Sequence, residues 1–188
     1  MNLVERLKVK EESALIELMH LYGDYLLRTA LLLLKDQQIA EEAVQDTFIT
    51  AFDKITQLAD SEKIKNWLTS ILVNRCRTQM RKRSWKKIIL TLDLTERFHK
   101  DINFSGPEEH LLKLIENQHL ADAIQELHYK YREVIIMYYF NEMKISDISS
   151  YLKVNENTIK SRLTRGRFLL KDILMRGVDE NGSGERKI

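Results

Sequence analysis

One proline and six glycines in 188 residues leave too little punctuation for the repeated tight turns of a β-sandwich or barrel, and an all-α chain is predicted. A single cysteine, Cys76, excludes an internal disulfide. Without Cys/His pairs at zinc-site spacing, no metal and no cofactor is expected, and the lone thiol suits a reducing, cytoplasmic setting. The longest aliphatic run, Ala30 to Leu34, is far below the roughly 20 residues that cross a bilayer as a helix. Met1 to Glu12 mixes acids and bases among its apolar residues and lacks the unbroken stretch of a secretion signal, so no membrane insertion is expected. Catalytic signatures are missing too: there is no Gly-rich phosphate loop, GxSxG elbow, HExxH or cysteine nucleophile with a placed base. His20, His99, His110, His119 and His128 are scattered, and the chain is not expected to be an enzyme.

What is present is strong charge segregation behind a net charge of only +2. From Asp36 to Asp53 every charge is acidic: Asp36, Glu41, Glu42, Asp46 and Asp53. From Arg75 to Lys87 every charge is basic: Arg75, Arg77, Arg81, Lys82, Arg83, Lys86 and Lys87. One part of the first half repels phosphate and the other attracts it.

Apolar residues recurring at three- and four-residue spacing predict a helix from about Glu12 to Lys35 and a second from Gln38 to about Lys54. A loop is read over Ile55 to Lys65, and then a helix with Trp67, Leu68, Ile71 and Leu72 on its apolar side runs into the basic stretch. Trp67 reads as core before it reads as a stacking platform. The pattern breaks up from Ser84 to Gly106, and Ser105-Gly106-Pro107 is the strongest turn signal in the chain. The expected organisation is two small helical domains, residues 1–83 and 107–176, a flexible linker over 84–106 and a disordered tail over 177–188. Helices are predicted in the second domain from Pro107 to about Leu127, about Tyr131 to Phe140, Ile145 to Leu152 and about Thr158 to Leu174.

Ile145, Ile148, Leu152 and Val154 form an apolar stripe that stops at the polar turn Asn155-Glu156-Asn157-Thr158, after which Ile159, Leu163 and Leu170 begin another. This is a helix-turn-helix pattern. Asn155 or Asn157 is positioned to cap the second helix. Lys160, Arg162, Arg165, Arg167 and Lys171 decorate that helix with no acid among them, over a length of roughly 20 Å, as a rod entering a DNA major groove would require. A solvated basic face is the plainer reading of such a segment taken alone.

The segment PEEHLLKLIENQHLADAIQELHYKYREVIIMYYFNEMKISDISSYLKVNENTIKSRLTRGRFLL from Pro107, with KSRLTRGR as its most specific part, resembles the promoter-binding domain of extracytoplasmic-function sigma factors of bacterial RNA polymerase. AEEAVQDTFITAFDKI followed by IKNWLTSILVNRCRTQMRKR resembles the polymerase-binding and promoter-melting domain of the same family, in the same order. Asn157 departs from a frequent Gly and Gly166 from a common Ala of that family. The resemblance implies a monomeric initiation factor whose partners are core RNA polymerase, promoter DNA as duplex and melted strand, and an anti-sigma factor. It places Glu42, Gln45, Asp46 and Phe48 on the polymerase-docking surface. Lys63, Asn66, Trp67, Asn74, Arg75, Arg77 and Arg81 fall at or near the positions that capture the downstream promoter element. Thr158, Lys160, Ser161, Arg162, Thr164 and Arg165 fall at those that contact the upstream element. The rival reading is a helix-turn-helix regulator that binds DNA without polymerase, normally as a dimer.

Overall fold

The computed structural model describes residues 2–90 and 118–182, with side chains over 2–82 and 119–176. Among these residues there is no strand, and they fall into two compact units, 2–90 and 118–182.

The first unit comprises α1 (Leu3–Lys8), α2 (Glu12–Leu34), α3 (Gln37–Lys54) and α4 (Ile64–Leu90), with α2, α3 and α4 packed on one another. Leu18, Leu26 and Leu33 of α2 and Leu68, Leu72 and Cys76 of α4 are fully buried. Between them α3 offers mostly small residues, Ala40, Ala43 and Ala51, together with Phe48. Small side chains let helix axes approach closely, so a helix that is largely polar still seats in the core. The α2–α3 corner takes two residues: Lys35 closes α2 in the left-handed region at φ 59°, and the Asp36 carboxylate accepts the Ile39 N–H at 3.0 Å to cap α3. Both helices match their predicted spans to within a residue. The predicted loop contains two short 3₁₀ turns, Ile55–Gln57 and Ser61–Lys63.

Sequence periodicity gave no hint of α1, which is too short to show any. It buries Val4 and Leu7 and opens with a capping box between Asn2 and Glu5. The Arg6 guanidinium holds it down, 2.7 Å from the Glu11 carboxylate and 2.5 Å from that of Glu17. Hydrogen bonds from Arg6 and Ser13 pull the Glu11 carboxyl from an ordinary 4.5 down to about 2. A carboxyl depressed in the folded state stabilises fully above its unfolded value, and the contribution disappears as pH falls from about 4.5 through about 2. Glu11→Gln is therefore expected to be less stable than the parent at pH 7 and to converge with it across that window. Urea titrations at stepped pH read the difference, and a constant gap down to pH 2 would contradict it.

The helix α4 runs to Leu90, so residues 84–90, expected in the linker, are helical. Nothing between Ser84 and Gly106 is proline or glycine, and loss of apolar periodicity alone does not stop a helix. The rest of the expected linker, 91–106, and the predicted helical stretch 107–117 lie outside the described residues.

In the second unit α5 (Gln118–Glu126), α6 (Tyr129–Ile135) and α7 (Ile145–Leu152) each pack against the long α8 (Glu156–Gly182). The predicted helix to Phe140 divides into α6 and a π-helical turn, Ile136–Phe140, closed by the Asn141 N–H on the Ile136 carbonyl and the Met143 N–H on that of Met137, both at 3.0 Å. The wider turn keeps Ile136 and Met137 in the core while exposing Tyr138, Tyr139 and Phe140. The tail expected to be disordered from Gly177 instead continues α8 to Gly182, an interior Gly costing a long helix about 1 kcal/mol against Ala. Residues 183–188 lie outside the described residues.

Candidate nucleic-acid interface

The helix-turn-helix is α7, a turn and α8. Lys153 ends α7 in the left-handed region at φ 55°, and the Ser149 hydroxyl donates to the Val154 carbonyl at 2.6 Å, which fixes the turn. Of the two candidate caps, Asn155 serves. Its side-chain oxygen accepts from the Thr158 N–H at 2.8 Å and the Thr158 hydroxyl at 2.9 Å. Thr158 is half-buried and tied into this cap at the start of α8.

Along α8, Lys160, Ser161, Thr164, Arg165, Arg167, Phe168 and Lys171 are exposed, while Ile159, Leu163 and Gly166 turn inward. The exposed side carries four cations between Lys160 and Lys171 and no acid. Lys160 stands 3.9 Å from Glu156, one turn back, an exposed pair that water screens. Arg165 lies over the Phe168 ring, 5.3 Å from its centroid, with the ring itself 62% exposed. The aromatic face holds the guanidinium out from the helix. Phe168 is not among the candidate residues that the sequence singles out.

Arg162 does not join this exposed set. Half-buried, it reaches back to the Glu133 carboxylate of α6 at 3.4 Å. Position 162 falls next to the inward stripe of Ile159, Leu163 and Gly166, so its fork is directed to the core-facing side, where it forms an intramolecular ion pair.

In the first unit α3 displays Glu41, Glu42, Gln45, Asp46, Ile49 and Asp53 to solvent. Phe48, expected on that surface, is only 4% exposed and belongs to the core. Its neighbour Ile49 is 57% exposed and is the large apolar side chain on the acidic side. The two exchange roles because the helix rotates about 100° per residue, a distinction that residue type alone does not reveal.

On α4, Asn74, Arg75 and Arg81 are exposed, as is Lys63 ahead of it, while Asn66, Trp67 and Arg77 are half-buried. Asn66, Asn74, Arg77 and Arg81 recur at spacings that place them on one side of the helix. Arg75 lies round the helix toward α3, where it donates to the Thr50 hydroxyl at 2.7 Å and stands 4.0 Å from Asp46. Trp67 is neither fully core nor a free platform. The start of α4 is anchored by Tyr25 of α2, whose hydroxyl bonds that of Thr69 at 2.9 Å, with Lys65 4.6 Å over its ring. Cys76 is fully buried, and burial pushes its thiol up to about 12, which suits packing and not reactivity.

Two helical units, one ending in a helix-turn-helix with an unbroken cationic side and the other pairing an acidic helix with a basic one, define a DNA-binding transcription protein. Residues 18–86 match the model of sigma-70 region 2 and residues 118–169 that of sigma-70 region 4. The chain is 31% identical over 144 residues to the RNA polymerase sigma factor SigV of Bacillus subtilis, spanning 77% of this chain and 81% of that one. To the same organism's ECF RNA polymerase sigma factor SigM it is 29% identical over 164 residues, 87% and 97% of the two chains. Among solved structures it is similar to the sigma factor RpoE of Bartonella quintana in complex with the anti-sigma factor NepR, at 26% identity and TM-score 0.66 over 85% of this chain and 95% of that one. The chain belongs to the extracytoplasmic-function sigma factors of bacterial RNA polymerase. Its function is accordingly that of an initiation factor, which binds core polymerase and directs it to promoters, and the independent regulator is not favoured.

Proposed function

We propose the following division of labour within this sigma factor. The unit of residues 2–90 docks on core polymerase through Glu42, Gln45 and Asp46 of α3, with Ile49 among them. It takes up the downstream promoter element through Lys63, Asn66, Trp67, Asn74, Arg77 and Arg81. The unit of residues 118–182 reads the upstream element through Lys160, Ser161, Thr164 and Arg165, with Thr158 at the approaching helix end. The protein does no catalysis of its own and works in the cytoplasm with the polymerase. An anti-sigma factor holds it in check; the Bartonella relative named above is in complex with one.

The observation that carries this reading is the unbroken exposed cationic side of α8 behind a capped N-terminus. Backbone N–H groups at that end favour phosphate, and the side chains one and two turns on can reach base edges. Melted strand costs about 1.4 kcal/mol of stacking per base step, and the basic, amide-bearing side of α4 offers charge and hydrogen bonds in return.

The direct test is transcription by core polymerase on a promoter library with and without the protein, with start sites sequenced. Protein-dependent starts sharing a two-part upstream motif support the reading; DNA binding that ignores polymerase overturns it. Within the same assay Arg165→Ala is expected to weaken binding by about 1 to 3 kcal/mol and relax preference at one position of the upstream motif. Lys171→Ala, further along α8, is expected to weaken all sequences alike and lower the salt dependence by about one phosphate contact.

A further inference from the structure

The side of α8 that faces α6 has two unusual features within one helical turn. Gly166 is buried there, and a Cβ added to it would stand 3.1 Å and 3.3 Å from the Ile135 side chain and 3.5 Å from the Tyr131 Cβ, so the two helices approach as closely as a missing side chain allows. Four residues earlier on the same side, Arg162 meets Glu133 at 3.4 Å, with the Glu133 side chain 4% exposed and that of Arg162 26% exposed. A carboxylate taken this far out of water is strongly unfavourable unless a cation and hydrogen bonds compensate it, so Glu133 holds α8 in the rotation that keeps Arg162 in reach. The close approach at Gly166 restricts spacing, and the ion pair restricts rotation.

We infer that Glu133 and Arg162 are positioning residues for promoter recognition: the pair fixes the rotation of α8 about its axis and thereby the direction in which Lys160, Ser161, Thr164 and Arg165 project. This rests on the reading of α8 as the helix that contacts the upstream element. Rotating α8 by even a fraction of the 100° between successive residues moves side chains off the base edges they would face. Arg162 contributes to specificity with no contact to DNA, which separates it from the four exposed residues beside it in sequence.

A double-mutant cycle in the full chain tests this, with Glu133→Gln, Arg162→Met, the double variant and Arg162→Lys, each assembled with core polymerase. The probe is a duplex carrying the upstream motif that the parent holoenzyme selects from a randomised library, against a duplex with that motif scrambled. Each single variant is expected to lose about tenfold in affinity for the selected duplex and little for the scrambled one, with the double variant no worse than either single. The slope of affinity with salt stays at the parent value, since no phosphate contact is removed, and Arg162→Lys recovers part of the loss. Helical content by circular dichroism at the assay temperature shows that the variants remain folded, Glu133→Gln and Arg162→Lys being nearly isosteric or charge-conserving.

Parent-like discrimination in Glu133→Gln combined with a salt slope reduced by about one in Arg162→Met would make Arg162 a direct phosphate contact and overturn the proposal. So would losses that add in the double variant. Polymerase-dependent selection of start sites by the parent with no upstream motif would overturn the reading of α8 itself, and the proposal with it, while leaving the sigma function intact.

Discussion

Glu42→Arg with Gln45→Arg is expected to weaken binding to core polymerase by about 100-fold or more, while binding of the upstream duplex by the second unit stays at parent strength. Both side chains stand on the exposed side of α3, Gln45 one turn and Glu42 two turns before Ile49, and neither enters the core. Like charge brought face to face at an interface costs several kcal/mol, and two cations set among the acids of α3 oppose the basic partner surface that an acidic helix suits. These two positions are chosen over Asp46 because the Arg75 guanidinium stands 4.0 Å from Asp46, and a cation at 46 would also repel α4 from within the domain. The measurement is competition for core polymerase against labelled parent protein, followed by run-off transcription. Parent-like competition would remove α3 from the docking surface. Phe48→Ala supplies the contrast: it vacates a core position, so loss of polymerase binding there accompanies a lowered melting point, which the arginine pair does not show.

The largest expected effect on stability is at Leu72, fully buried in α4 where that helix packs on α2 and α3. Leu72→Ala removes three carbons from a close-packed interior, which costs about 2 to 5 kcal/mol depending on how far the cavity collapses. A shift of about 4 to 8 °C accompanies each kcal/mol in a domain of 60 to 100 residues, so the first unit is expected to melt about 15 °C lower. Trp67 and Trp85, the chain's two tryptophans, both lie in α4, so intrinsic fluorescence follows this unit. A shift of only a degree or two would show that α4 is not a principal wall of the core.

The helices long enough to repeat their pattern were legible in the sequence. Over 20 residues α2 places an apolar side chain on the same face six or seven times, and polar turn residues bracket α7 closely enough to fix both its ends. Short or merged elements were not. With two buried residues α1 has no period, and the π-helical turn at Ile136–Phe140 arises inside an apolar run that reads equally well as regular helix. Loss of apolar pattern near residue 83 does not mark the end of α4, which has no residue there that breaks a helix and continues to Leu90.

Candidate site residues divided in the same way. Sequence identifies which residue types gather on a helix, and the structure shows which of those on α8 and α3 are exposed. It does not fix the rotation of the helix against its neighbours. Phe48 and Arg162 are both residues whose type suits an interface and whose position turns them toward the core side, and the signal for Arg162 is a carboxylate, Glu133, that directly precedes the apolar run Val134 to Met137 and is buried with it. Ile49 and Phe168 are the reverse case, apolar residues that the helix turns outward.

The contact of Arg75 with Thr50 and Asp46 joins the acidic helix to the basic one through a single exposed side chain. A guanidinium engaged with α3 is withheld from a nucleic-acid strand, so a ligand on either helix alters what the other helix offers, and reciprocity requires both affinities to change by the same factor. Because an exposed pair of this kind is worth no more than about 1 kcal/mol, that factor has a ceiling near fivefold. Within this unit, cooperativity between holding polymerase and holding promoter is therefore weak when it travels through this contact, and stronger coupling has to come from the geometry of the assembled complex.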